Sequence, residues 1–211
     1  MPNHCTNLLT CTSGKTLGQL IKPYLTKDGK SIDFEKIIPV PYPIKKLENL
    51  SNLEYDWDAP EDQKIPDHIK ELSKQLSAAL AEHNEKTFGF ANSYDFHVSK
   101  WDTKWNAYSC YSLEEEDVET LDSIGFQTAW APPINVIREL AKLTGECFRM
   151  SYYDEGWMFA GEYFANADGS EIDNCYDDMD NIPEGSELYH ECDLPYYYEI
   201  KEENEDDDEN D

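Results

Sequence analysis

Apolar and polar positions along this chain switch between a period of two and a helical period, and the switches mark its elements. Asn3–Ser13 is rich in Thr, Leu and Cys and stops at Gly14, which predicts a first strand. Lys15–Leu25 places Leu17, Leu20, Ile21 and Leu25 at helical spacing, limited by Pro23. Ile32–Val40 reads as a short extended element. It runs into Pro39, Pro41 and Pro43, whose fixed φ and missing donors predict an ordered, extended connection. Residues 44–64 are polar and loop-like. Pro66–His83 predicts the clearest helix. Pro66 suits a first turn, Asp67 the positive N-terminal end, and Ile65, Ile69, Leu72, Leu76, Ala79 and Leu80 share one apolar face.

Residues 84–105 scatter aromatics among polar residues and carry no clear period. Asn106–Ser112 reads as a strand and Glu114–Glu119 as an acidic connection. Ser123–Trp130 alternates, with Ile124, Phe126, Thr128 and Trp130 on one face. Pro132-Pro133 opens a helix carrying Val136, Ile137, Leu140 and Leu143, and Gly145 closes it. Cys147–Asp154 puts Phe148, Met150 and Tyr152 on one face. Tight turns at Glu155-Gly156 and Asp168-Gly169 bound Trp157–Phe164 and lead to Ile172. The order strand, helix, helix, strand, strand, helix, strand, strand predicts an α+β fold. Its core is a ferredoxin-like split β-α-β arrangement with an antiparallel sheet, helices on one face and a second face left open.

Charge changes the picture at the C-terminal end. From Ser151 onward there are twenty-two Asp and Glu residues against one base, Lys201, which leaves only −7 of the total −28 for residues 1–150. The domain organisation expected is therefore a ferredoxin-like domain over 1–165 with an insertion at about 31–105. An acidic, aromatic-containing extension over 166–200 packs on it, and a disordered acidic tail follows over 201–211. That tail has no apolar residue and cannot offset its chain entropy by burial. Fourteen Tyr and five Trp supply enough apolar area for a core in the rest.

A field this negative repels nucleic acid and anionic lipid and attracts basic surfaces. The six cysteines are scattered without a C-x-x-C pair, which argues against zinc ribbons, redox pairs and iron–sulfur ligation. No cofactor and no metal site is expected. The opening MPNHCTNLL lacks a signal-peptide pattern and no apolar stretch approaches a membrane span, so a reduced, cytoplasmic protein is expected.

Several stretches together are familiar. They are Met1–Asn7, Ile37-Ile38-Pro39, Lys100–Trp105, Phe126-Gln127-Thr128-Ala129-Trp130-Ala131-Pro132-Pro133, Tyr153-Asp154-Glu155-Gly156 and Phe159-Ala160-Gly161. The set resembles the YubB-like family of plasmid and phage proteins with a ferredoxin-like domain, over roughly residues 1–165. The resemblance implies an α+β fold and a mobile-element setting, without an iron–sulfur cluster and without catalytic residues to carry over. The acidic region after residue 165 lies outside it.

Trp101, Trp105 and Trp130, with Lys100 and Lys104 nearby, have the composition of a base-stacking platform, and equally of core or loop-anchoring aromatics. Oxygen-bearing residues alternate around Gly169, but a hairpin turn explains Asp168-Gly169 without calcium. His4 and Cys5 are strand neighbours pointing to opposite faces. His190 and Cys192 lie among acids that disfavour a thiolate, so no enzyme is expected. The acids of 171–193 are interleaved with Ile172, Tyr176, Met179, Ile182, Leu188, Tyr189 and Leu194, which a merely solubilising tail does not need. On alternate strand positions they would lie about 6–7 Å apart, near phosphate density.

The leading expectation is a non-enzymatic inhibitor of a host nucleic-acid-handling defence protein that imitates the charge of DNA. Its partner-binding acids would be Glu171, Asp173, Asp177, Asp178, Asp180, Glu184, Glu187, Glu191 and Asp193. The partner is a basic nucleic-acid-binding host protein, with no direct nucleic acid and no membrane. The alternative is an adaptor or structural protein that binds through an aromatic surface at Trp101 and Trp105, with acids for solubility only.

Overall fold

The computed structural model describes residues 3–52, 65–110, 112–115 and 117–208. The chain forms two compact units, one of Met1–Ile37 with Asp102–Asp211 and one of Ile38–Trp101. Its strands are β1 (His4–Cys11), β2 (Ser123–Ala129), β3 (Phe148–Asp154), β4 (Ala160–Ala165) and β5 (Glu171–Tyr176). Its helices are α1 (Leu17–Ile21), α2 (Phe34–Ile37), α3 (Tyr42–Asn52), α4 (Asp67–Phe88), α5 (Ser93–Lys100), α6 (Ser112–Glu115), α7 (Ile134–Thr144), α8 (Glu187–Glu191) and α9 (Leu194–Asp208).

In the first unit the strands make one sheet in the order β2-β1-β3-β4-β5, every neighbouring pair antiparallel. Since β1 runs against both β2 and β3, those two are parallel, with α7 crossing between them. This is the split β-α-β unit of a ferredoxin-like domain. Register follows the alternation of the sequence. Leu9 lies between Ile124 and Met150, and Asn7 between Phe126 and Tyr152. One face therefore carries Leu9, Ile124, Phe126, Phe148 and Met150, all buried, and α7 covers it with Val136, Ile137, Leu140 and Ala141. Asn7, fully buried among them, donates to the Cys5 and Phe126 carbonyls and to Thr128 Oγ1, so its burial leaves no stranded donor. Gly145 ends α7 in the left-handed conformation, as its spacing predicts.

The opposite face is not left open. Over β3, β4 and β5 it is capped by the C-terminal segment, where Met179, Ile182, Leu188, Cys192 and Leu194 form a second core with Ala160. Tyr153, Trp157, Tyr176, Tyr189, Tyr197 and Tyr198 pack around that core. Six of the seven β3 residues are consequently buried, on both faces of the strand. Gly161 has a specific reason to lack a side chain. The Tyr152 ring crosses β4 above it to reach Asp173 on β5, and a Cβ there would lie 2.6 Å from Tyr152 Oη.

Several local expectations are corrected. The Pro39–Pro43 stretch does not stay extended: Ile44 and Lys45 N–H groups donate to the Pro41 carbonyl and α3 begins at Tyr42. Pro43 sits in its first turn, where a missing N–H costs nothing. Residues 44–52 are thus helical; the rest of the expected 44–64 loop, 53–64, lies outside the described residues. The strand expected at 106–112 is reduced to one bridge, Tyr108 with Gln127, because Ser109 takes a positive φ of 53°. Trp130 does not share the face of Ile124, Phe126 and Thr128. It follows the end of β2, turns left-handed at φ 76°, and its N–H donates to the Asn3 carbonyl.

In the second unit, the expected apolar face of α4 is turned outward, with Ile69, Leu72 and Leu76 exposed. The less exposed stripe is instead Ser73, Ser77, Leu80, Ala81 and Asn84, of which only Leu80 belongs to the expected face, and α4 packs on α3. Asn84 holds the seam by donating to the Pro43 carbonyl. The backbone of the expected disordered tail is helical through Asp208, a continuation of α9, while 209–211 lie outside the described residues. Glu and Lys are good helix formers, and a helix already nucleated at Leu194 gains one hydrogen bond per added residue.

Candidate functional site

The nine acids expected to form one partner-binding row are divided by the fold into two groups. β5 ends at Tyr176, so only Glu171 and Asp173 occupy alternate positions of a strand. Both are engaged. Glu171 accepts from Arg138 Nε at 2.6 Å and from the Tyr163 hydroxyl, which hold its carboxyl below the ordinary range. Asp173 accepts from Tyr152 Oη at 2.8 Å. Glu191 turns inward to Arg149, which lies on β3 beneath the C-terminal cover, while Glu187 stands 3.8 Å from that guanidinium with its side chain 74% exposed. A long regular row at phosphate spacing is therefore not formed.

Arg149 and Glu162 are the residues that sequence reasoning missed. The guanidinium donates to both Glu191 oxygens at 3.0 and 2.9 Å and to Glu162 at 3.2 Å. A signal was present: the chain has only two arginines, Arg138 and Arg149, and both bond acids of the region after Ser151.

The remaining acids form the second group. Asp177, Asp178, Asp180, Glu184 and Asp193 are all exposed, on turns between β5, α8 and α9. The turns are themselves ordered. Asp178 caps a short 3-10 turn by accepting from the Asp180 N–H, and Asp180 receives the Tyr198 hydroxyl at 3.0 Å and Lys201 at 3.4 Å. Met179 and Ile182, buried within that same turn region, anchor it to the second core. Asp180 and Glu184 line an open cavity of about 530 Å³ whose other walls include Ile182, Tyr189 and Tyr198. The two tyrosine rings are stacked, with centroids 6.1 Å apart. Carboxylates beside aromatic faces suit a cationic side chain.

The aromatic alternative is half removed. Trp101 is 2% exposed, stacked on His97 and donating to the Ile38 carbonyl within the second unit, so it presents no surface. Trp105 is exposed, and Lys104 Nζ lies over its indole and over that of Trp130.

The cysteines are all free. Burial, and then the charge of Glu191, push the Cys192 thiol up to about 12, and burial raises Cys5 well above the usual thiol range. Neither is a thiolate at neutral pH. Among the described residues, no group of three or more His, Cys, Asp or Glu side chains is placed to hold a metal ion. No helix among them is long and apolar enough to cross a membrane.

Residues 100–192 match the family described as "Ferredoxin-like domain in Api92-like protein". The matched part runs from the last residue of α5 through α8, and it supports the ferredoxin-like half of the resemblance expected from sequence. The YubB-like name is not in that description. The match also reaches Cys192, which places the acids up to Glu191 inside the matched domain, whereas the resemblance over 1–165 leaves them outside. A crystal structure of a protein api92 from Yersinia pseudotuberculosis is similar over 84% of this chain and 98% of that one, with 12% identity and a TM-score of 0.43. No curated protein matches the chain.

Proposed function

We propose that this chain is a non-enzymatic acidic protein of a phage or plasmid that inhibits a host nucleic-acid-handling defence protein, of restriction or CRISPR type. It would present carboxylates where that partner expects DNA phosphates. One observation carries the reading: the exposed acids Asp177, Asp178, Asp180, Glu184 and Asp193 are held on turns anchored by their own buried core. Solubility alone requires no such anchoring, and charges fixed in place lose less entropy on binding than charges on a mobile tail. Glu171, Asp173 and Glu191 are held by Arg138, Tyr152 and Arg149; Glu187, 74% exposed, adds to the outward acids, and Asp180 stays exposed while bonded to Tyr198 and Lys201.

The test is a pull-down from host lysate at low and at high salt, because association driven by such a field weakens as salt screens it. A basic nucleic-acid-binding protein is recovered at low salt; recovery of none sinks the proposal. Asp177→Asn, Asp178→Asn and Asp180→Asn together weaken capture, while deletion of 201–211 costs little. The reverse pattern would make the C-terminal acids the mimic.

A second reading, an adaptor that binds through aromatics, is favoured by the exposed pair Trp105 and Trp130. On that reading Trp105→Ala abolishes capture and neutralising the acids does not.

A further inference from the structure

Outside the acidic segment, the least ordinary feature of the first unit is the group around Lys104. Trp105 and Trp130 are 44% and 40% exposed, unusual for two large indoles that share one cation. Trp130 holds a left-handed backbone at φ 76°, a conformation that is a true outlier for a bulky residue. Trp105 is braced by the edge of Tyr108, 6.5 Å between centroids, and Tyr108 is in turn fixed by its hydroxyl, which meets His4 Nδ1 at 2.6 Å and the Thr128 carbonyl at 3.2 Å. An alkylammonium meets both indoles: Lys104 Nζ is 4.8 Å from the Trp105 ring centroid and 5.2 Å from that of Trp130. Both distances are inside the roughly 6 Å range of a cation–π contact.

We infer that Trp105 and Trp130 form a clamp for an alkylammonium group on a partner, such as a lysine side chain, and that Lys104 is its intramolecular placeholder. The occupant follows from what the site already accepts. The same side chain chemistry is seated there, and the chain as a whole, at −28, draws cations and repels phosphates. A nucleic-acid base would stack on the same indoles, but its phosphates would enter the repelling field. The clamp lies outside residues 171–193 and stands whether or not the acidic surface acts as proposed. Because Lys104 is tethered beside the clamp, it competes at high effective concentration, and an external cation binds the native chain only weakly.

Lys104→Ala therefore opens the site. The probe is choline, followed through the indole N–H signals of Trp105 and Trp130 by NMR, with 3,3-dimethylbutanol as its neutral isostere. We expect K104A to bind choline roughly tenfold more tightly than the native chain, about the gain from freeing the aromatic faces. Lys142→Ala, which removes an equal charge elsewhere, leaves the affinity within about twofold, since a distant exposed charge is screened. Trp105→Leu keeps apolar bulk without a π face and abolishes choline binding in the K104A background. Folding of each variant is checked by the unchanged methyl spectrum of the α7-covered core. The inference is overturned if K104A binds choline no better than K142A, if the neutral isostere binds as well as choline, or if an oligothymidylate shifts the two indoles where choline does not.

Discussion

Arg149→Met tests whether one ion cluster holds the C-terminal cover on the sheet. The guanidinium side chain is 8% exposed and donates to Glu191 and Glu162, with Glu187 at 3.8 Å. Burial works against its charge; the hydrogen bonds and charges of Glu191, with Glu187 and Glu162, more than offset this and raise its pKa above that of an ordinary arginine. Removing it leaves Glu162 and Glu191, at 24% and 14% exposed, without their common counter-charge. Breaking a buried pair in this way costs about 3–5 kcal/mol, and the lower end applies because both carboxylates retain some water. Glu187, at 74% exposed, adds little.

Arg149 is on β3 and Glu191 on α8, so the loss falls first on opening of α8 and α9 from the sheet. About 3 kcal/mol corresponds to roughly 150-fold faster local opening. Native-state hydrogen exchange over residues 187–198 reads this directly, with α7 as the internal reference. An acceleration below about fivefold, or an equal one in α7, would refute the reasoning. The pair Arg149→Met with Glu191→Leu should recover most of the protection, because an apolar contact carries no desolvation cost.

Three further outcomes are expected. Gly161→Ala places a Cβ 2.6 Å from both Tyr152 Oη and the Asn174 carbonyl, and should lower stability by about 1–3 kcal/mol, measured as a fall in thermal midpoint. Glu171 has its folded pKa depressed below 4.5 by Arg138 and Tyr163, so the stability it contributes is present above that value and lost as pH falls through the folded pKa; the midpoint gap between native and Glu171→Gln proteins should narrow as pH falls below 4.5 in thermal melts. Trp157→Phe loses the indole donor to the Cys192 carbonyl, 3.1 Å away, and should cost about 1 kcal/mol, seen as faster exchange in α8.

The sheet was legible because its strands obey a period of two. Ile124 and Phe126 share a face of one strand and Phe148 and Met150 of another by spacing alone, and the turns at Asp168-Gly169 and Gly145 carry residues suited to left-handed backbone. The helix at α4 was legible in existence but not in orientation. Its apolar positions Ile69, Leu72 and Leu76 were the natural choice for burial, yet Ser73 and Asn84 are the buried ones and Ser77 is half-buried. Periodicity reports which residues share a face; it does not report which face a neighbour needs.

The charge of the C-terminal segment, and the apolar residues interleaved with it, belong to the sequence alone, and they suffice to predict an anchored acidic extension. Which acids remain outward was decided only in three dimensions. Arg138 and Arg149 stand 33 and 42 residues from the glutamates they bind, Glu171 and Glu191, and pairing at that distance depends on how strands and helices stack. The same is true of Trp105 and Trp130, 25 positions apart in the chain and joined around Lys104 by a left-handed residue that no pattern announces. Local spacing determines elements because backbone geometry repeats; partners across the fold depend on where those elements come to rest.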